Sequence, residues 1–331
     1  MLRASIPNIG DVAKLVGVSR ATVSRAFSRP HLIGDETAKR VRDAAKKIGY
    51  SPNPIARALI TGRQGNIAII VSDIINPFFP PLLRAAQIGA EASGLNVFLG
   101  DCHGDIEREK RLIERLVMQV DGFILASLRM PDERIQELAL RLPVVLINRD
   151  VPGVPRVLID SATGIDAAIT HLVELRHRYL AYLCGPTASW SDQQRRVAIR
   201  RAAARYKVNI KWIPATPPTF DGGKHVAQVL QHTKATAAIA FDDFVAHGVL
   251  AGLTELGVDV PKDFSIIGCD DVLGALTHPA LTSISARCDE AGRMAIDLLT
   301  GILHTRKKLD ARCVLETNLL VRATTARLSK P

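Results

Sequence analysis

The sequence predicts a multidomain protein. A small all-α helix-turn-helix module opens the chain, and a two-lobed α/β region with parallel sheets follows. Three observations carry this. Positive charge is concentrated in the first fifth of the 331 residues. Two short helical patterns separated by a glycine turn lie in that same stretch. From Asn66 onward, short apolar runs alternate with helical stripes. The length alone exceeds one ordinary hydrophobic core.

The first helix starts at Asn8, a side chain that caps helices, with Asp11 placed at the positive end of the dipole. Val12, Leu15 and Val16 then recur at helical spacing. Gly17 supplies the positive φ of a tight turn. Ser19 caps the next helix, Arg20–Phe27, whose buried face is Val23 with Ala26 or Phe27. Ser28-Arg29-Pro30 stops it. A third helix is expected over Asp35–Ile48, with Val41, Ala44, Ala45 and Ile48 on one stripe. Two short helices braced by a third form a helix-turn-helix.

Charge points to the partner of this module. Residues 1–63 hold 12 Lys and Arg against 4 Asp and Glu, whereas the rest of the chain holds 31 against 29. Such a concentration suits a polyanion. In a helix-turn-helix, the amino end of the second helix meets base edges in the major groove. Arg20 and Ala21 stand there, and Arg25 follows on an exposed face. Arginine can contact guanine bidentately, and Ala21 offers apolar contact to a thymine methyl. Ser19, Thr22 and Ser24 suit phosphate oxygens. One such module covers a half-site, so a homodimer on a palindromic double-stranded DNA operator is expected.

Pro52 and Pro54 end the third helix and open a short one that stops near Thr61-Gly62. At about two turns it is too short to stand alone. Beyond it, the strand-like runs are Ile67–Val71, Val97–Leu99, Phe123–Leu125, Val144–Ile147, Tyr179–Leu183, Ala237–Ala240 and Ser265–Ile267. Ligands of open α/β sheets sit past the carboxyl ends of such strands. The residues there are Ser72, Asp73, Asn76-Pro77-Phe78-Phe79, Asp101, Ser127 with Arg129, Asn148 with Arg149, Asp160, Asp242-Asp243 and Asp270-Asp271. Carboxylates and arginines suit hydroxyl groups or anions, and Phe78 or Phe79 can cover an apolar sugar face. An Asp or Asn at such a position also serves as an ordinary helix cap.

Composition excludes several classes. No apolar run is long enough to span a bilayer, so no membrane partner is expected. No secretory leader is read at the amino end. The five cysteines form no Cys-x-x-Cys, which fits a reduced, cytoplasmic protein rather than a disulfide scaffold or zinc site. No Gly-x-Ser-x-Gly, Walker loop or His-Glu-x-x-His occurs. No catalytic residue, metal or cofactor is therefore expected. A periplasmic-type binding protein and a sugar-processing enzyme with a DNA module are the competing readings.

Longer motifs resemble one family. Asp11-Val12-Ala13, Gly17-Val18-Ser19 and Thr22-Val23-Ser24-Arg25 are similar to the headpiece of LacI/GalR regulators. Gly49-Tyr50, Pro52-Asn53, Ala56 and Leu59 resemble that family's hinge. The likeness continues through Asp73…Asn76-Pro77-Phe78-Phe79, Val120-Asp121-Gly122, Cys184-Gly185-Pro186, Ser191…Arg195, Asp242-Asp243, Gly268-Cys269-Asp270-Asp271 and Pro279-Ala280-Leu281-Thr282.

The resemblance implies a headpiece at 1–50, a hinge at 51–63, and a periplasmic-binding-protein-like effector domain at 64–331. Its first lobe would be about 64–161 with 287–317, and its second about 162–286 with 318–331. Arg20 and Ala21 would read the variable bases, and Arg25 would make the shared contact. Hinge residues Asn53, Ala56 and Leu59 would reach the minor groove, with Leu59 as an apolar wedge. Arg195, Asp242 and Asp270 would hold the effector from one lobe, and Asp73, Phe79 and Asp101 from the other. The chain departs from the pattern at Gly34 (usually Ser), Asn148 (commonly Asp), Ala198 (usually Gly), Asp242 (usually Asn) and Cys269 (usually Phe or Tyr). Asn148 and Asp242 change donors and acceptors in the pocket. Arg129, Arg149 and Arg195 together would suit a sugar acid. The function implied is a transcription regulator, a repressor by type, controlled by a sugar or sugar acid.

Overall fold

The computed structural model describes residues 7–51, 62–307 and 310–328. The chain divides into two compact units, one ending at Gly65 and including Gln119–Asp121, the other holding the remainder.

The first unit contains α1 (Ile9–Val16), α2 (Arg20–Ser28) and α3 (Asp35–Ile48). Asn8 and Asp11 form a reciprocal capping box at the start of α1, which satisfies N–H groups no helical carbonyl can reach. Gly17 ends α1 at φ 73°, its N–H donating to the Ala13 carbonyl. Val12, Val16, Val23, Ala26, Val41 and Ala45 form the core. Each buried valine contributes roughly 1.5–3 kcal/mol. Ala44, Phe27 and Ile48 are half-buried at its rim. Arg40 Nη2 donates to the Val16 carbonyl at 2.9 Å, neutralising the negative end of α1.

The strands of the second unit are β1 (Asn66–Val71), β2 (Asn96–Asp101), β3 (Phe123–Ala126), β4 (Val144–Ile147), β5 (Arg156–Asp160), β6 (Tyr179–Cys184), β7 (Asn209–Pro214), β8 (Ala237–Ala240), β9 (Ser265–Asp270), β10 (Thr282–Ser285), β11 (Arg312–Glu316) and β12 (Asn318–Leu320). Its helices are α4 (Phe79–Ala92), α5 (Ile106–Leu116), α6 (Asp132–Arg141), α7 (Ala162–Glu174), α8 (Trp190–Tyr206), α9 (Phe220–Gln231), α10 (Asp243–Glu255) and α11 (Cys288–Thr305).

The strands form two six-stranded sheets, ordered β11-β5-β4-β3-β1-β2 and β12-β10-β9-β8-β6-β7. Each sheet is the centre of a lobe. All seven apolar runs read from the sequence are strands. β5, β7, β10, β11 and β12 were not among those runs. β7 and β11 are edge strands with polar residues at alternate positions, Lys211 in β7 and Arg312 in β11, so they lack a continuous apolar run. The expectation of wholly parallel sheets needs one correction, because β12 pairs antiparallel with β10.

The chain crosses between lobes more than once. After β10 it returns to supply α11 and β11 to the first sheet, then β12 to the second. α11 packs against α4 at a distance only glycine permits, since a Cβ on Gly292 would lie 2.2 Å from the Leu82 carbonyl oxygen. In the first sheet β1 lies between β2 and β3, and in the second β6 lies between β7 and β8. Strand order reverses at β1 and β6. Connections there leave to opposite faces and open a crevice at the carboxyl ends.

Candidate functional site

In the first unit, the amino end of α2 is built by its cap. Ser19 Oγ accepts the Thr22 N–H at 3.0 Å and bonds the Thr22 hydroxyl at 2.9 Å. Both hydroxyls, expected to face phosphate, are thus engaged with each other at the cap. Val23 and Ala26 turn inward, which leaves Arg20, Ala21 and Arg25 exposed. Among the described residues no carboxylate pairs with Arg20 or Arg25. Their forks are free for acceptors from outside. Ser24 is half-buried, and its carbonyl accepts from the Ser28 hydroxyl. Gly34 precedes α3 without a side-chain cap. Asn53, Ala56 and Leu59 lie outside the described residues.

In the second unit, a cavity lies where the carboxyl ends of the two sheets meet. The first lobe lines it with Ser72 and Asp73 after β1, Phe78 and Phe79 at the start of α4, Ser127 and Arg129 after β3, and Asn148 after β4. From the second lobe come Pro186, Ser189 and Ser191 around the start of α8, Arg195, Pro218, Phe241 and Asp242 after β8, and Asp270 at the end of β9. Phe78 and Phe79 pack edge to face at 5.0 Å, an apolar wall beside carboxylates and hydroxyls. Asn76 Nδ2 donates to Asp242 Oδ2 at 2.9 Å, joining the lobes directly. The enclosed space is about 80 Å³, below the ~300–1,000 Å³ common for small-molecule pockets. The lobes therefore stand close together.

Three cavity residues have strained backbones. Ser127, Asn148 and Asp270 have φ of 57°, 54° and 110°, conformations that side-chain-bearing residues rarely adopt. At the strand ends they turn the chain sharply and aim Arg129, Asn148 and Asp270 at the cavity.

The second-lobe side is charge-dense and dry. Arg195, buried in α8, donates through Nη2 to Asp270 Oδ1 at 3.1 Å and through Nη1 to the Phe241 carbonyl. Asp242 caps α10 by accepting the Val245 N–H at 2.8 Å. Asp243 behind it accepts from the Ser283 hydroxyl at 2.6 Å and the Val272 N–H at 3.0 Å. Burial pushes the Asp242 carboxyl up to about 6 and the Asp243 carboxyl up to about 7. It also pushes Asp270 up, against the pull of Arg195. Burial opposes the charge on Arg195, but its anionic surroundings outweigh that and hold it protonated. We take Asp270, in direct contact, as its counter-ion.

Most residues named from the sequence meet in this cavity: Asp73, Phe78, Phe79, Arg129, Asn148, Arg195, Asp242 and Asp270. Asp101 does not line it. Its Oδ1 accepts the N–H groups of Ile74 and His103, both at 3.2 Å, and so ties the loop after β1 to the loop after β2. Arg149, grouped with Arg129 and Arg195 for a sugar acid, does not line it either. Its guanidinium is consumed by Asp132 and the Met130 carbonyl. Sequence reading did not name Ser189, Pro218 and Phe241, and it gave Ser191 no role beyond its motif. Asn76 and Ser191 stood in quoted motifs, but nothing local shows that their side chains reach another lobe or a shared cavity.

Similarity to known proteins covers both units. The model of bacterial regulatory proteins of the lacI family matches residues 8–53, and that of a periplasmic binding protein-like domain matches residues 169–325. The HTH-type transcriptional repressor CytR of Escherichia coli K12 is 32% identical over 327 residues, 96% of each chain. The ribose operon repressor of Halalkalibacterium halodurans is 31% identical over 324 residues, again 96% of each. Among solved structures, the lac repressor dimer bound to operator and an anti-inducer superposes with a TM-score of 0.86 at 22% identity, over 97% of this chain and all of that one. A LacI family regulator of Enterococcus faecalis V583 with bound ribose has a TM-score of 0.73 at 28% identity, over 80% of this chain and all of that one.

Proposed function

The chain belongs to the lacI family of bacterial regulatory proteins, and from that premise we propose a repressor that binds a palindromic operator as a homodimer and is switched by a small polyhydroxylated effector, a sugar or sugar acid. The observation that carries the effector reading is the composition of the cavity. Carboxylates and serine hydroxyls from both lobes and a phenylalanine wall match alternating hydroxyl groups and an apolar ring face. Arg129 adds a fork directed at a carbonyl or carboxylate oxygen. The named ligand of the Enterococcus structure is ribose, which supports the same chemistry.

Operator recognition rests on the free arginines of α2, with Arg20, Ala21 and Arg25 reading bases and Ser19, Thr22 and Ser24 set near phosphates. Hinge residues Asn53, Ala56 and Leu59 belong to this proposal as minor-groove contacts. Dimerisation has a physical motive, because the open edge strand β2 exposes Phe98 and Leu99, and α4 exposes Ile88. An apolar sheet edge of this kind calls for a cover.

The switch requires an effector that prefers one arrangement of the lobes, with a reciprocal change in operator affinity. The test begins with selection of bound duplexes from a random pool. The enriched site is then titrated with and without D-ribose, D-ribonate and related polyols. A palindrome whose affinity shifts with one polyol is the expected result. A palindrome indifferent to every sugar and sugar acid would remove the effector assignment.

A further inference from the structure

The loop from Ser127 to Asp132 carries Arg129 to the cavity, and two charged side chains, one buried and one largely buried, grip its backbone. Glu109 on α5 is fully buried. Its carboxylate accepts the Arg129 N–H at 3.0 and 3.1 Å and the Met130 N–H at 2.9 Å. Arg149 engages a carbonyl group of the same loop. It donates to the Met130 carbonyl at 3.1 Å and holds Asp132 Oδ1 through Nε and Nη2. Leu128 and Met130, flanking Arg129, are buried in the lobe. The guanidinium is gripped a third time, by the Gly104 carbonyl at 3.1 Å. Gly104 is at φ +70°, and a Cβ there would lie 3.1 Å from Arg129 Nη1.

We propose that Glu109 and Arg149 are positioning residues that fix the loop backbone and so aim the Arg129 fork at the effector. This rests on the reading of the cavity as an effector site. A buried carboxylate and a largely buried guanidinium are costly to retain for packing alone. Here each satisfies backbone groups that a hydrophobic residue would leave unpaired. Among the described residues no carboxylate lies within ion-pairing distance of the Arg129 guanidinium, so its remaining N–H groups stay available. Arg195 is spent on Asp270 by contrast. Arg129 is thus the cation that discriminates a carboxylate or carbonyl on the effector, and its aim depends on the clamp.

Two readouts test this in the full-length protein. Amide hydrogen exchange of the peptide spanning 127–131 requires no ligand. Glu109→Gln should speed it on the order of tenfold, while peptides of the second lobe and operator binding stay unchanged. Arg149→Lys loosens the loop from the carbonyl side and guards against a folding defect specific to the first variant. The second readout is the affinity for D-ribose and D-ribonate, whichever binds. Glu109→Gln and Arg129→Ala should each weaken it, and the double variant should bind no worse than Arg129→Ala alone. A merely structural Glu109 would give additive losses. Unchanged exchange at 127–131, or additive losses, overturns the proposal. If neither compound binds the unmodified protein, the polyol reading fails, while the exchange result still decides the clamp.

Discussion

Arginine is used in opposite ways in the two regions of this molecule. On α2 of the headpiece, Arg20 and Arg25 are exposed and unpaired among the described residues. In the effector domain Arg195 is buried and committed to Asp270 and the Phe241 carbonyl. An exposed fork is held ready for a partner that brings its own negative charge. A buried fork is part of the structure, because water cannot solvate it. The same side chain is therefore available to an outside partner in one region and committed to internal structure in the other.

The largest effect should follow from removing the buried arginine. Arg195→Ala leaves Asp242 and Asp270 without their cation and should lower unfolding stability by about 3–5 kcal/mol. Proton uptake by Asp270 and Asp242 relieves part of this, so the loss measured in urea should grow from pH 5 to pH 8. A loss under 1 kcal/mol would place Arg195 among the solvated arginines and erase the contrast. On the headpiece side, Arg25→Ala should leave unfolding stability nearly untouched. It should weaken binding to the selected operator by about 1–3 kcal/mol per half-site, measured at fixed salt. An equal drop on every DNA sequence would make Arg25 a phosphate contact instead.

A pH prediction sharpens the buried side. The folded-state carboxyl of Asp243 is held up at about 7 by burial, against about 3.9 in an unfolded chain. The folded state therefore binds the extra proton between these values. This contribution to stability is complete below about pH 4 and is lost as pH rises through 7. Asp243→Asn should flatten that part of the stability–pH curve. An unaltered slope would mean that Asp243 is ionised throughout. The smallest effect belongs to the headpiece. Gly34→Ser adds a missing cap to α3 and should stabilise it by a few tenths of a kcal/mol, read as a small rise in its melting temperature. No rise would show that the Gly34 backbone already serves as well.

Legibility from sequence followed the range of the interactions involved. The helices of the headpiece are local objects. Asn8, Gly17 and Ser19 act on groups within a few residues, and a period of 3.6 tells which side chains face out. The cavity was only half legible. Asp73, Asn148, Asp242 and Asp270 could be named because strand ends are where such sheets bind ligands. Asp101 also ends a strand but does not line the cavity, since its carboxylate is taken up by backbone N–H groups of its own loop and of the loop after β1. Arg149 was misassigned because its partner Asp132 sits on another element, and no spacing rule links them.

By itself the sequence determined what depends on period, capping and charge along the chain: a basic helix-turn-helix, then alternating strands and helices with polar residues at the strand ends. Only the tertiary structure decided which of those polar residues meet. Asn76 and Asp242, 166 positions apart, share a hydrogen bond between lobes. Glu109 turns out to hold the loop of Arg129. The physical reason is that a carboxylate or a guanidinium carries the same local signal whether it is solvated, capping a loop or buried against its counter-ion. Its role is set by the neighbours that packing brings within about 3 Å, the range of a hydrogen bond.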